Sequence, residues 1–214
     1  MGSITILSLV EEAAKKLEDE DYDRYTPTDL VTFCNMALET VCRIKPNAYS
    51  VRENVQLVSG SVQSLPSRRH ALIRPVRNMG STGSAPGAGI RLVDLDTLND
   101  FDIDWHTTDD ATAVSDIAYD PMHPLEFWVY PPATNYYVEL ITAAIPDAVD
   151  IDGVLPIPDI YRLPVIELIT GYALQANRAD ASFSRGGGYI QSAMINLGVQ
   201  QAMAESNVKE GSKK

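Results

Sequence analysis

The sequence predicts an α+β fold: a helical layer built from both ends of the chain, with a small antiparallel β-domain inserted between them. Two observations carry this. Apolar residues recur at helical spacing before residue 48 and again after Pro158, and alternate with period two in between. Prolines fall where the period changes, Pro46 at the first change and Pro158 at the second, as breakers should.

The first helix is expected over about 4–18, capped by Ser3, with Ile6, Leu7, Val10, Ala13, Ala14 and Leu17 on one stripe. Glu18-Asp19-Glu20-Asp21 then breaks the pattern and reads as a solvated loop. A second helix starts at Thr26-Pro27-Thr28-Asp29, where Thr26 suits the N-cap, Pro27 the first turn, and Asp29 the positive end of the helix dipole. Leu30, Phe33, Cys34, Ala37, Leu38 and Val41 form its apolar face, and Pro46 stops it. The two helices are expected to form an antiparallel hairpin.

From Tyr49 the period becomes two. Val51, Val55 and Leu57 alternate with polar residues, and further strands are expected at about 62–65, 71–77, 112–119, 125–130 and 136–144. Turns fall at Asp120-Pro121 and Pro131-Pro132. The segment 80–89 (GSTGSAPGAG) reads as a flexible loop, and Asp94-Leu95-Asp96-Thr97-Leu98 as a short helix. Helical spacing returns with Val165, Leu168, Ile169, Tyr172, Ala173 and Ala176 in a helix expected to run to about Arg178, which Pro164 either opens in its first turn or kinks. A last helix is expected over about 185–204, with Tyr189, Ile190, Ala193, Leu197 and Gln200 on one side. The expected organisation is therefore a helical domain of residues 1–48 and 155–204, a β-domain of 49–154, and a loose polar tail at 205–214.

Composition narrows the function classes. With 214 residues and 45% hydrophobic content the chain can bury a sizeable core. No apolar run is long enough for a transmembrane span. The opening MGSITILSLVEEAAKKL gains acids where a secretory signal would stay apolar, so cytoplasmic assembly is expected. Cys34 and Cys42 lie roughly 12 Å apart along one helix, too far to bridge. A net charge of −12 argues against generic binding to a phosphate backbone.

That charge is unevenly placed. Between Glu53 and Asp94 there is no acid, yet five arginines (68, 69, 74, 77 and 91) occur there. Between Arg91 and Arg162 there is no Lys or Arg, while fifteen acids do occur. Either neighbouring strands set arginines against acids, or an acidic surface faces something that must not adhere, or a basic partner.

Catalytic motifs fail one by one. Asp100, Asp102 and Asp104 have calcium-loop spacing, but Trp105 takes the required glycine's place and Ala111 that of the bidentate glutamate. Asp150-Ile151-Asp152-Gly153 lacks the closing acid. His70, His106 and His123 are scattered, with no HExxH and no cysteine at zinc spacing. No GxSxG elbow and no GK[ST] cradle exists. His106, beside Trp105 and Asp104, reads either as an acid–base group or as an interfacial histidine. Gly186-Gly187-Gly188 implies a hinge or the close approach of another backbone.

A longer constellation is more specific. It comprises Arg24-Tyr25-Thr26-Pro27-Thr28-Asp29-Leu30, Asn35, Lys45-Pro46-Asn47-Ala48-Tyr49, Gln63-Ser64-Leu65-Pro66, and Val76-Arg77-Asn78-Met79-Gly80. It continues with Ile90-Arg91-Leu92-Val93-Asp94, Trp105-His106, Tyr119-Asp120-Pro121, Phe127-Trp128-Val129-Tyr130-Pro131-Pro132 and Val138-Glu139-Leu140. In this order and spacing, from about residue 4 to about residue 200, the chain resembles the phage adaptor family, the head-to-tail connectors of short-tailed, podovirus-type double-stranded DNA phages. The triple glycine departs from the ordinary helix formers expected there.

The resemblance implies a structural virion protein and not an enzyme, without cofactors. It implies a homo-oligomeric ring, commonly of twelve copies, at the neck of the virion between portal protein and tail nozzle, enclosing the DNA channel. The helical layer and C-terminal segment would meet the portal, and the β-domain the nozzle. A channel that passes duplex DNA benefits from an acidic wall. Asp102, Asp104, Asp109 and Asp110 are the expected lining. Glu205, Ser206, Asn207, Val208, Lys209, Lys213 and Lys214 are expected to dock on the portal. Arg74, Arg77, Trp105 and His106 are expected to contact a neighbouring subunit or the nozzle. The alternatives are an Asp-dependent divalent-metal hydrolase, and a neck or tail-completion protein of another phage type.

Overall fold

A computed structural model of the chain describes residues 4–107, 109–176 and 180–198. The chain divides into two compact units, Met1–Ala48 with Pro146–Lys214, and Tyr49–Ile145.

In the first unit, helix α1 (Ile6–Leu17) is capped by Thr5, whose hydroxyl accepts the Ser8 N–H; Ser3 lies outside the described residues. Ile6, Leu9, Val10, Ala13, Ala14 and Leu17 are buried, whereas Leu7 is exposed. The acidic run after α1 is not wholly solvated. Asp19 is buried, and its carboxylate accepts the backbone N–H groups of Arg24 and Tyr25, closing the turn into the next helix. Helix α2 (Pro27–Ile44) begins with a complete capping box: Thr26 accepts the Asp29 N–H, and the Asp29 carboxylate accepts the Thr26 N–H.

Helix α4 (Arg162–Ala176) organises this unit, packing on α1, α2 and the last helix, α5 (Asp180–Asn196). The two N-terminal helices pack more extensively on α4 than on each other, so the simple hairpin expected from sequence is a two-helix wall against a central helix. Every residue from Pro164 to Gly171 is buried, as are Ala173 and Leu174, while Ala176 is exposed. A helix surrounded by helices needs no polar face. Residues 146–155 belong with the helices rather than the strands. Asn35 donates to the Val149 carbonyl (3.1 Å) and accepts the Val149 N–H (2.8 Å). Leu155 N–H bonds to the Ile4 carbonyl.

The second unit holds two sheets. One is antiparallel, ordered β1 (Ser50–Gln56), β7 (Tyr137–Ala144), β3 (Arg69–Asn78). The other is ordered β2 (Val62–Ser64), β6 (Glu126–Tyr130), β5 (Asp116–Ala118), β4 (Arg91–Val93). Strand β4 was not expected, and it runs parallel to β5, so this sheet is mixed. Residues 112–115 are not strand. Pro75 is tolerated because β3 lies at a sheet edge, with bulges that absorb the lost ladder bond.

Alternation sets the layers. Leu72, Val138 and Leu140 from the first sheet meet Ile117, Phe127 and Val129 from the second in one core. The intervening residues Ala118, Trp128 and Tyr130 point to the other face, where α3 (Leu95–Phe101) and the 3₁₀ turn Trp105–Thr107 cover them. The unit is therefore sheet, core, sheet, short helical layer. The glycine-rich loop is fastened rather than free: Asn78 bonds to the Ala88 carbonyl, and Asn54 to that of Gly83. Gly83, at φ 72°, lies so close to the Tyr137 ring that a Cβ would sit 3.1 Å from it.

Candidate functional site

Two surfaces of the second unit gather the residues singled out from sequence. The first is the helical layer. Leu98 points inward from α3 and packs with Trp105, which is fully buried and donates its indole N–H to Asn99 (2.9 Å). Trp105 thus has no surface to offer a partner and leaves the expected contact set. It supports His106, whose ring stacks on it at 3.6 Å and whose Nδ1 lies 2.9 Å from the Ser61 hydroxyl. His106 is itself exposed.

Of the four expected lining acids, Asp104, Asp109 and Asp110 are exposed, and Asp102 is half-buried. Asp102 accepts the Asp104 N–H (3.0 Å), which fixes the turn after α3. Asp110 accepts the Thr134 hydroxyl, tying this segment to the turn after β6. Asp102, Asp104 and Asp110 are thus tied into the fold. Phe101 and Ile103 are exposed beside them, at 75% and 83%. Between α3 and its sheet lies a cleft of about 360 Å³ whose walls include Val93, Phe101 and Tyr130. The buried carboxylate of Asp116 at its edge is met by Arg91 (2.7 Å). That pair answers part of the charge question: an arginine from the acid-free block neutralises an acid from the base-free one.

The second surface is the outer face of the three-stranded sheet. Glu139, on the central strand and nearly buried, accepts from Arg52 on one side (2.6 Å) and Arg77 on the other (2.8 Å). The Arg52 hydrogen bond, with the charges of both guanidinium groups, holds the Glu139 carboxyl below its ordinary pKa despite burial. Arg77 is therefore half-occupied by an internal pair, whereas Arg74 is exposed and makes no ion pair among the described residues. Arg69 pairs with Glu53 (2.6 Å), and Thr142 donates to the same carboxylate. The triad at Glu139 escaped sequence reading because its members are up to 87 residues apart. Its trace in the sequence was Arg77 in the acid-free block and Glu139 in the base-free one, with Arg52 outside both.

In the first unit the structure answers the glycine question. Helices α4 and α5 approach so closely that a Cβ on Gly186 would lie 2.8 Å from the Gly171 carbonyl oxygen, and one on Gly171 would lie 2.7 Å from Ile190. The triple glycine lies within α5, with Gly186 facing α4 and Gly187 open. The carboxylate of Glu167, buried in α4, accepts from Ser192 and Asn196 of α5, both at 2.8 Å. Cys34 and Cys42 are free and buried, and burial pushes their thiols up to about 12 and about 11. The expected portal-docking residues 205–214 lie outside the described residues.

Among the described residues, no three His, Cys, Asp or Glu side chains are placed to hold a metal ion. No helix among them is long and apolar enough to cross a membrane. What the geometry presents is charged and apolar contact area on a rigid sandwich. No curated protein matches the chain significantly. The model of the SU10 adaptor protein family matches residues 4–210, nearly the whole chain, and the chain belongs to that family. It is accordingly a phage adaptor, a structural component of the virion that works through contacts with other virion components.

Proposed function

We propose that this SU10 adaptor family member forms a closed ring, of twelve copies as in the adaptors it resembles, between the portal and the tail nozzle, and works without catalysis. The helical unit, with residues 205–214, faces the portal; the β-unit faces the nozzle. His106 and Arg74 lie on surfaces where a nozzle or a neighbouring subunit can meet them. The family match across residues 4–210 carries the reading.

A ring around duplex DNA has to hold its place without gripping the phosphates. Duplex DNA carries one negative charge per about 1.7 Å, and a Lys- or Arg-lined wall would bind it by releasing counterions. Asp104, Asp109 and Asp110 are exposed in a stretch with no Lys or Arg from 92 to 161, which supports their assignment, with Asp102, to the channel wall. Repulsion over a Debye length of about 8 Å keeps the duplex centred and mobile.

The test is an image of the chain bound to purified portal particles. An axial projection counts the copies, and a side view shows which unit meets the portal. Virions lacking the chain that still join head to tail and retain their genome would overturn the reading. Reversing the four aspartates should leave assembly intact and slow DNA release; unchanged release at low salt would refute the lining. Full-strength portal binding after deletion of 205–214 would reject the docking segment.

A further inference from the structure

We infer that the second unit docks on a second copy of this chain, the outer face of its three-stranded sheet receiving the outer stripe of the neighbour's α3. This rests on the collar reading above and names the surfaces that would close it.

The receiving face follows from register. Arg52, Ile141 and Arg74 stand in one cross-strand row, and Asn54, Glu139 and Arg77 in the next. Rows on either side carry Leu72, Leu140 and Val138, which point into the core, so the two arginine rows point outward. The two rows hold three arginines and one carboxylate, Glu139, leaving the face at +2 by formal charge. Arg52 is 56% exposed and Arg74 is exposed, while Ile141 between them is half-buried.

The occupant follows from helix geometry. Leu98 faces inward from α3, and residues two positions before and after it project to the opposite side. Those residues are Asp96 and Asp100, both exposed. Ile103, strongly exposed just past the helix end, adds apolar area beside the charge. No base occurs from 92 to 161 to neutralise it within its own segment.

The two surfaces lie on opposite sides of the unit. The three-stranded sheet packs its inner face on the core, the four-stranded sheet packs its inner face on the same core, and α3 covers the far side of the latter. One copy therefore cannot bring its own Arg74 to its own Asp100. Opposite charge on opposite faces makes a head-to-tail contact, the kind that repeats and closes into a ring when the rotation allows. The loop at 80–89 reaches this face at Asn54 in the second row, so the row of Arg52, Ile141 and Arg74 is its open part.

Arg74 is the position to test, because Arg52 and Arg77 also hold Glu139. Sedimentation velocity on the full chain should show self-association weakened about tenfold or more by Arg74→Glu, and equally by Asp96→Lys with Asp100→Lys. The three changes together should restore it to within about threefold of the starting chain. Covalent trapping gives a second readout. Under oxidation, Arg74→Cys with Asp100→Cys should yield a ladder beyond dimers, since Cys34 and Cys42 are buried; each single cysteine variant should stop at dimers. Association of wild-type strength in both charge-reversed variants, or a double-cysteine variant that stops at dimers, overturns the facing and leaves the collar reading standing. A starting chain that stays monomeric up to about millimolar concentration overturns the facing and leaves the collar reading to its own test on portal particles. Loss of binding to a short DNA duplex in Arg74→Glu, with self-association unchanged, assigns the arginine face to phosphate and overturns the proposal.

Discussion

Replacing each of two adjacent glycines by alanine should change stability unequally, with a gain at one and none or a loss at the other. In a helix interior Ala is favoured over Gly by about 1 kcal/mol. At Gly187 nothing lies within 4 Å of the new Cβ, so Gly187→Ala should realise that gain. At Gly186 the Cβ would sit 2.8 Å from the Gly171 carbonyl oxygen, 2.9 Å from Gln175 Cγ and 3.1 Å from Leu174 Cβ. Gln175 can swing aside; a backbone carbonyl in a packed helix cannot. Pushing the α4–α5 pair apart costs about 1–3 kcal/mol, which cancels or exceeds the propensity gain. The two variants should thus differ by about 2 kcal/mol, or about 4–8 °C in thermal midpoint for a chain of this size. Urea denaturation followed by helical circular dichroism, with both variants measured side by side, reads the difference. Equal stabilisation at 186 and 187 would refute the close approach of the two helices and return the glycines to the hinge explanation.

Glu139 gives a pH prediction. Its carboxyl is held below the ordinary value in the folded chain, so its contribution is complete above the unfolded pKa and is lost as pH falls through the folded one. The stability advantage of the starting chain over Glu139→Gln should be full above about pH 5 and vanish in strong acid, in denaturation midpoints measured across that range. An advantage that persists unchanged at acid pH would remove the ion triad as its cause. Cys34 and Cys42 should resist a thiol reagent at pH 8 in the folded chain and react at once in denaturant; rapid labelling of either without denaturant would contradict their burial. Trp105→Ala should cost about 3–5 kcal/mol through the cavity beneath α3, whereas His106→Ala should cost under about 1 kcal/mol. Equal losses, read by circular dichroism, would mean that the exposed histidine and not the indole anchors the layer. Thr26→Ala should destabilise by about 1 kcal/mol in the same assay by removing half of the capping box; no change would mean the box is dispensable to α2.

The helices were largely legible in the sequence because their signals are local. Thr26, Pro27 and Asp29 write the start of α2 within four residues, and a 3.6-residue stripe needs no knowledge of its partner. The limits of this appear in α4. Its apolar residues run all the way round, so the one-sided stripe expected from sequence puts the exposed Ala176 inward and leaves out the buried Glu167. Long strands such as β1 and β7 also declared themselves. Strand β4, three residues long, did not, because so short a segment is extended only when β5 lies beside it.

The charged surfaces show the same division. The counts between Glu53, Asp94 and Arg162 established that arginines and acids are segregated along the chain, and the ordered constellation from Arg24 to Leu140 pointed to the adaptor family. Which arginine neutralises which acid was decided only by the sheet. Arg77 and Arg52 meet at Glu139 through cross-strand register, Arg91 reaches Asp116 through the parallel pair, and Arg74 remains open. Trp105 shows the converse. The resemblance to the adaptors puts it among the contact residues, yet an indole facing Leu98 gains more from leaving water than from display. Sequence fixes what lies within a turn or two of each residue; whether a side chain faces protein or solvent depends on residues tens of positions away, and only folding sets those distances.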